Sequence, residues 1–103
     1  MDKTDVYTIY TDVRVIDFAR KHPFPGWYID IAGYYCCIIG RYLISIFVND
    51  CDNTMDIAVD AVSGTGKFDQ NIEWVTPLTD AELAETAMRF TAQYAREGAP
   101  TWK

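Results

Sequence analysis

The segment from Ala61 to Lys67 comes nearest to a recognisable chemistry, because Gly64-Thr65-Gly66-Lys67 approaches a loop whose backbone N–H groups and lysine cradle a nucleotide's phosphates. Such a loop also needs a glycine at its start, a Ser or Thr after the lysine to reach magnesium, and a helix to follow. Ala61 stands in place of the first glycine, Phe68 in place of the hydroxyl, and Asp69-Gln70-Asn71 opens no evident helix. The spacing therefore reads as a hairpin loop between strands.

Asp50, Asp52, Thr54 and Asp56 alternate like the first ligands of a calcium loop, in which every second residue turns an oxygen toward the cation. Completing that loop requires Gly at the sixth position and a bidentate Glu at the twelfth. Met55 and Ala61 occupy those places, so a strand turn rich in Asp and Asn accounts for the same residues. His22 is the single histidine, and a hydrolytic dyad would have to pair it with Cys36, Cys37, Cys51 or a serine. Between Lys21 and Pro23 it reads instead as a helix-end residue, and the strand cysteines read as small core hydrophobes. No Cys and His spacing suits zinc, so the expected cofactor set is none and the chain is not expected to be an enzyme.

The elements that must position these residues fit one domain spanning 1–103, long enough for a single modest core. Half the residues are apolar, and seven Tyr, five Phe and three Trp supply bulk for that core without metal or disulfides. Three cysteines, two of them adjacent at Cys36 and Cys37, write no disulfide framework, since neighbours in a strand point to opposite faces. The start Met1-Asp2-Lys3-Thr4-Asp5 lacks the basic, apolar opening of a secretory signal, and the apolar stretch Tyr34 to Val48 is interrupted by Gly40, Arg41 and Ser45. A cytoplasmic protein without membrane contact is the expectation.

Thr11 or Asp12 can cap a short helix to about Lys21, with Ile16, Ala19 and either Val13 or Phe18 on its apolar side and Pro23 and Pro25 as its stop. The alternation of Val13 and Val15 about Arg14 allows a strand there as well. Trp27 to Ile31, Tyr34 to Ile39, Tyr42 to Val48 and Thr54 to Val62 then follow as strands, too closely spaced for crossover helices and hence antiparallel. Tyr42 to Val48 is apolar on nearly every residue and suits the centre of the sheet. Thr54 to Val62 places Met55, Ile57, Val59 and Ala61 on one face and Asp56 and Asp60 on the other, one face toward core and one toward solvent.

Ile72 to Thr76 can add a last strand, ended by Pro77. Thr79 and Glu82 form a capping box for a longer helix with Arg96 in its last turn and Gly98 and Pro100 closing it. Leu83, Ala87, Phe90 and Tyr94 recur at helical spacing, with Ala84, Met88 and Ala95 beside them. The predicted architecture is α+β: an antiparallel sheet of four to five strands with a short N-terminal helix and a longer C-terminal helix packed on one face.

Fifteen Asp and Glu against nine Lys and Arg give a formal charge of -6, which disfavours nucleic acid and anionic lipid and favours a basic protein surface. Asp50, Asp52, Asp56, Asp60 and Asp69 fall on one sheet face and its adjoining loops, where like charges such as Asp56 and Asp60 give no local benefit. Tyr34, Tyr35, Tyr42 and Trp74 exceed what one small core holds, and Tyr and Trp are preferred anchors of protein interfaces. The residues predicted to bind a partner are therefore Asp50, Asp52, Asp56, Asp60, Asp69, Tyr34, Tyr35 and Trp74.

Two stretches, Val13 to Pro23 closed by Arg20-Lys21-His22-Pro23, and Val75-Thr76-Pro77 leading through Ala87-Met88-Arg89-Phe90 to Gly98-Ala99-Pro100-Thr101-Trp102, together resemble bacterial polymorphic-toxin immunity proteins. That resemblance implies a small cytoplasmic α+β protein that binds a cognate toxin, often a nuclease or deaminase, and blocks its active site. A phage-encoded inhibitor of a host defence or nuclease complex would need the same acidic surface. A small enzyme or nucleotide-binding protein would instead depend on the Gly64 to Lys67 loop or on His22.

Overall fold

The computed structural model describes residues 11–62 and 68–97, without the side chains of residues 68, 69 and 97. The Ser63 to Lys67 loop, the helix-closing Gly98 and Pro100, the Trp102 ending and the Met1 start lie outside the described residues, as does the side chain of Asp69.

Helix α1, Val13–Lys21, prevails over the competing strand. Asp12 caps it, its carboxylate accepting the Arg14 backbone N–H at 2.8 Å. Val15 and Phe18, three apart and so on one helical face, are both buried, while Val13 is 64% exposed. Alternation would have put Val13 and Val15 together; the helix separates them.

Five strands follow in chain order, each antiparallel to the next: β1 Tyr28–Ile29, β2 Tyr35–Ile39, β3 Tyr42–Asn49, β4 Thr54–Val62 and β5 Phe68–Val75. The mostly apolar β3 is central, as its composition requires. β1 is shorter than the Trp27 to Ile31 expected, because Asp30 leaves the ladder to organise the next turn: its Oδ1 accepts the N–H groups of Ala32 and Tyr34 at 3.0 and 2.9 Å. The β2–β3 connection is the two-residue turn Gly40-Arg41, where Gly40 takes φ +60, a value that glycine adopts without strain. β5 begins at Phe68 rather than Ile72, and its pairing with β4 shifts register beside Asp60 and again beside Val62.

Helix α2, Asp80–Glu97, starts on the expected cap: Thr79 Oγ1 accepts the Glu82 N–H at 3.1 Å. Glu82 reaches back past Thr79 to the Leu78 N–H at 3.0 Å. Leu83, Ala87, Phe90 and Tyr94 are buried as their spacing requires. Met88 and Ala95, expected beside them, are exposed; Thr86 is buried instead, its hydroxyl donating to the Glu82 carbonyl at 2.7 Å.

Both helices pack on the same face of the sheet, where Val15, Phe18, Leu83, Ala87, Phe90 and Tyr94 meet Tyr35, Cys37, Ile44, Ile46, Ile57 and Val59. Glu73 projects to this side, opposite Val59, and accepts a hydrogen bond from the Tyr94 hydroxyl. The α+β architecture with two helices on one face of an antiparallel sheet is thus as the sequence indicated. No helix among the described residues is long and apolar enough to cross a membrane.

Candidate protein-binding face

Among the described residues no helix covers the other sheet face, and register determines what it carries. One row across the strands consists of Tyr28, Cys36, Ser45, Ala58 and Trp74, each the ladder partner of the next. Small side chains in the three middle strands thus lie between aromatics at both sheet edges. The neighbouring row pairs Phe47 with Asp56, and Leu43 pairs with Asp60 on the other side.

Tyr34, Phe47 and Trp74 form a continuous aromatic run. The Tyr34 and Phe47 ring centroids lie 5.3 Å apart, and Phe47 meets Trp74 edge to face at 5.2 Å. Ser45 and Ala58, beside these rings, are buried although no described helix covers them, and so is Cys36, beside Asp30 and Tyr28. Trp74 itself is 55% exposed. A hollow of about 330 Å³ opens among Tyr34, Phe47, Trp74, Asp60 and Asn71, with Ser45 and Ala58 at its base.

Asp56 holds this arrangement from below. It was expected as a solvent-facing charge, but it is 0% exposed. Its carboxylate accepts the Trp74 indole N–H at 2.8 Å, the Thr54 hydroxyl at 2.7 Å and the Asn49 amide at 3.1 Å. Burial opposes ionisation, but hydrogen bonds from Trp74, Thr54, Asn49 and Thr76 outweigh it and hold the carboxyl below the ordinary aspartate value. Asp56 is a buried acceptor that orients an exposed ring.

The other predicted residues are dispersed. Asp50 and Asp52 are exposed in the turn joining β3 to β4, where Asn49 Oδ1 accepts the Cys51 N–H at 3.1 Å and Asn53 takes φ +56. Asp60 lies toward the opposite end of β4, half-buried, with Oδ1 accepting from Asn71 Nδ2 at 2.9 Å. A single acidic patch is therefore not assembled by the described carboxylates: two sit at the hairpin tip, one is buried and one borders the hollow. Tyr35, expected at the interface, faces the helices and is buried; its hydroxyl donates to the His22 carbonyl at 2.7 Å and accepts the Phe24 N–H at 2.8 Å. Tyr42 also lies on the helix side, 4.5 Å from the Tyr94 ring. Tyr34 and Trp74 are exposed on the bare face.

Phe47, Ser45 and Asn71 escaped the sequence reading. The alternation of Leu43, Ser45 and Phe47 against Ile44, Ile46 and Val48 marked the first two, but an almost wholly apolar strand hid its second face; no sequence signal marked Asn71.

His22 ends α1, its backbone N–H on the Phe18 carbonyl at 2.9 Å and its ring 4.7 Å from that of Phe18. Cys36 and Cys37 point to opposite faces as strand neighbours must. Burial raises Cys36 to about 12, aided by Asp30, whose Oδ2 lies 3.8 Å from its sulfur, and burial alone raises Cys37 to about 11. Both thiols are therefore protonated and unreactive near neutrality.

Set beside known proteins, the chain matches no family model, no curated protein and no solved structure.

Proposed function

We propose that this chain is a non-catalytic binding protein that uses the bare face of its sheet to grip and occlude a basic protein partner, as an immunity protein does its toxin. The observation that carries this reading is the aromatic run Tyr34, Phe47 and Trp74, whose two outer rings are exposed on the face away from the described helices, fixed through the bond from Trp74 to buried Asp56. A ring held rigidly at a surface loses little freedom when a partner covers it, and large aromatics in such positions dominate interface energies. Asp60 beside the run, Asp50 and Asp52 at the hairpin tip and the formal charge of -6 favour a cationic partner and hasten its encounter. Inhibition by cover requires no chemistry from the chain itself.

The test is affinity capture from the source cell with the wild-type chain, Trp74→Ala, Asp60→Asn and the helix-side control Met88→Ala, at low and high salt. A basic protein retained by wild type and Met88→Ala, weakened by salt and lost with Trp74→Ala supports the reading, once purified partner reproduces that order by calorimetry. Capture unaffected by Trp74→Ala overturns it.

A further inference from the structure

The base of the bare-face hollow has a feature that the aromatic run does not explain. Ser45 is 3% exposed, and its Oγ is the one buried side-chain oxygen or nitrogen without a hydrogen-bond partner among the described residues. A buried hydroxyl left unpaired costs on the order of 1–3 kcal/mol, so a strand interior normally replaces it with alanine or valine. Ser45 lines the hollow, between Cys36 and Ala58 in the ladder.

Tyr34, Phe47 and Trp74 line the same hollow, together with the Asp60 carboxylate, of which, among the described residues, Oδ1 alone is engaged, by Asn71. The described lining contains no cation. An acceptor hydroxyl at the base, three rings as walls and a carboxylate at the edge suit a flat, positively charged group carrying several N–H donors.

Resting on the bare-face reading above, we propose that this hollow is a receptor for one arginine side chain of the partner. The guanidinium plane stacks on the Trp74 ring, with the nearly perpendicular Phe47 ring beside it; one edge donates to Asp60 Oδ2 and another to Ser45 Oγ. Arginine fits better than lysine: its planar, weakly hydrated fork donates in two directions while stacked on an aromatic, whereas an ammonium is a compact and strongly hydrated point charge. A neutral side chain of the same shape offers Asp60 a donor but no charge to balance its own.

The experiment titrates the isolated chain with n-propylguanidinium, n-propylammonium and the uncharged isostere n-propylurea, following the Trp74 indole N–H and the Ser45, Ala58 and Asn71 amides by NMR. Saturable shifts at these positions are expected, with guanidinium binding about tenfold tighter than urea. Asp60→Asn should weaken it about threefold and Ser45→Ala about fivefold. Ser45→Ala should also keep or raise the melting temperature, because it removes an unpaired buried hydroxyl.

No saturable shift, equal binding of the urea, tighter binding of the ammonium, or a clear loss of stability in Ser45→Ala overturns the arginine receptor. If the guanidinium fails while Trp74→Ala still abolishes partner capture, the receptor falls and the bare-face interface stands. If capture survives Trp74→Ala as well, both fall.

Discussion

Trp74 donates its indole N–H to Asp56 at 2.8 Å, joining a ring that is mostly in solvent to a carboxylate that is wholly out of it. The pair crosses from β5 to β4, so an exposed aromatic of the edge strand is fastened to the sheet interior. Removing the carboxylate frees the ring, takes the acceptor from the Thr54 hydroxyl and leaves the Asn49 amide with its longer bond to Asp52. We expect Asp56→Ala to cost about 3 kcal/mol and Asp56→Asn about half that, since the amide keeps one acceptor oxygen. Denaturant unfolding measures the cost, and the Trp74 indole resonance should lose its hydrogen-bonded shift in Asp56→Ala and keep it in Asp56→Asn, whose remaining oxygen still accepts from the indole.

Acid should loosen the same site. The folded-state value of Asp56 lies below that of the unfolded chain, so the unfolded state takes up the proton first and stability falls as pH drops. The contribution is complete above the unfolded aspartate value of about 3.9 and disappears as pH falls through the lower folded value. The stability gap between wild type and Asp56→Asn should therefore be constant above the unfolded aspartate value and shrink as pH falls below it. Parallel curves over this range would remove Asp56 as the linked group.

Tyr35 fastens the end of α1 to the sheet, its hydroxyl accepting the Phe24 N–H and donating to the His22 carbonyl. Tyr35→Phe keeps the packing against Phe18, Phe24 and Trp27 and removes both bonds. A loss of about 1–2 kcal/mol is expected, with hydrogen exchange quickening in residues 22–24 and unchanged in the β3–β4 hairpin.

Of the three cysteines, Cys51 alone is exposed. A disulfide-exchange reagent at mildly alkaline pH should titrate one thiol rapidly in the native chain and the other two only on unfolding, because burial raises Cys36 and Cys37 to about 12 and 11. The Cys51→Ser variant should show no fast phase.

Much of the fold was legible because its signals are local. The run Thr54 to Val62 is a strand with the bounds its alternation gave, Thr79 and Glu82 open α2, and Leu83, Ala87, Phe90 and Tyr94 line its buried side. The site was legible only in part. Alternation put Asp56 and Asp60 on the face away from the core, yet it carries no information on what a neighbouring strand lays over them. Whether Asp56 met water depended on Trp74 from β5, brought into place by a register shift that no propensity encodes. Tyr34 and Tyr35 are alike in composition and adjacent in sequence; a single step along the strand sent one to solvent and the other to the core.

Strand order equals chain order, with every ladder joining sequence neighbours, and this bears on how the molecule reaches its native state. Each hairpin closes a short loop, so the sheet can grow by successive local zippering without a slow long-distance search. The last described element, α2, supplies Leu83, Phe90 and Tyr94 to a surface already laid out by residues far earlier in the chain. Docking of that helix is expected to follow the folding transition state: core truncations on α2 should chiefly hasten unfolding, while changes in the β3–β4 hairpin should slow folding.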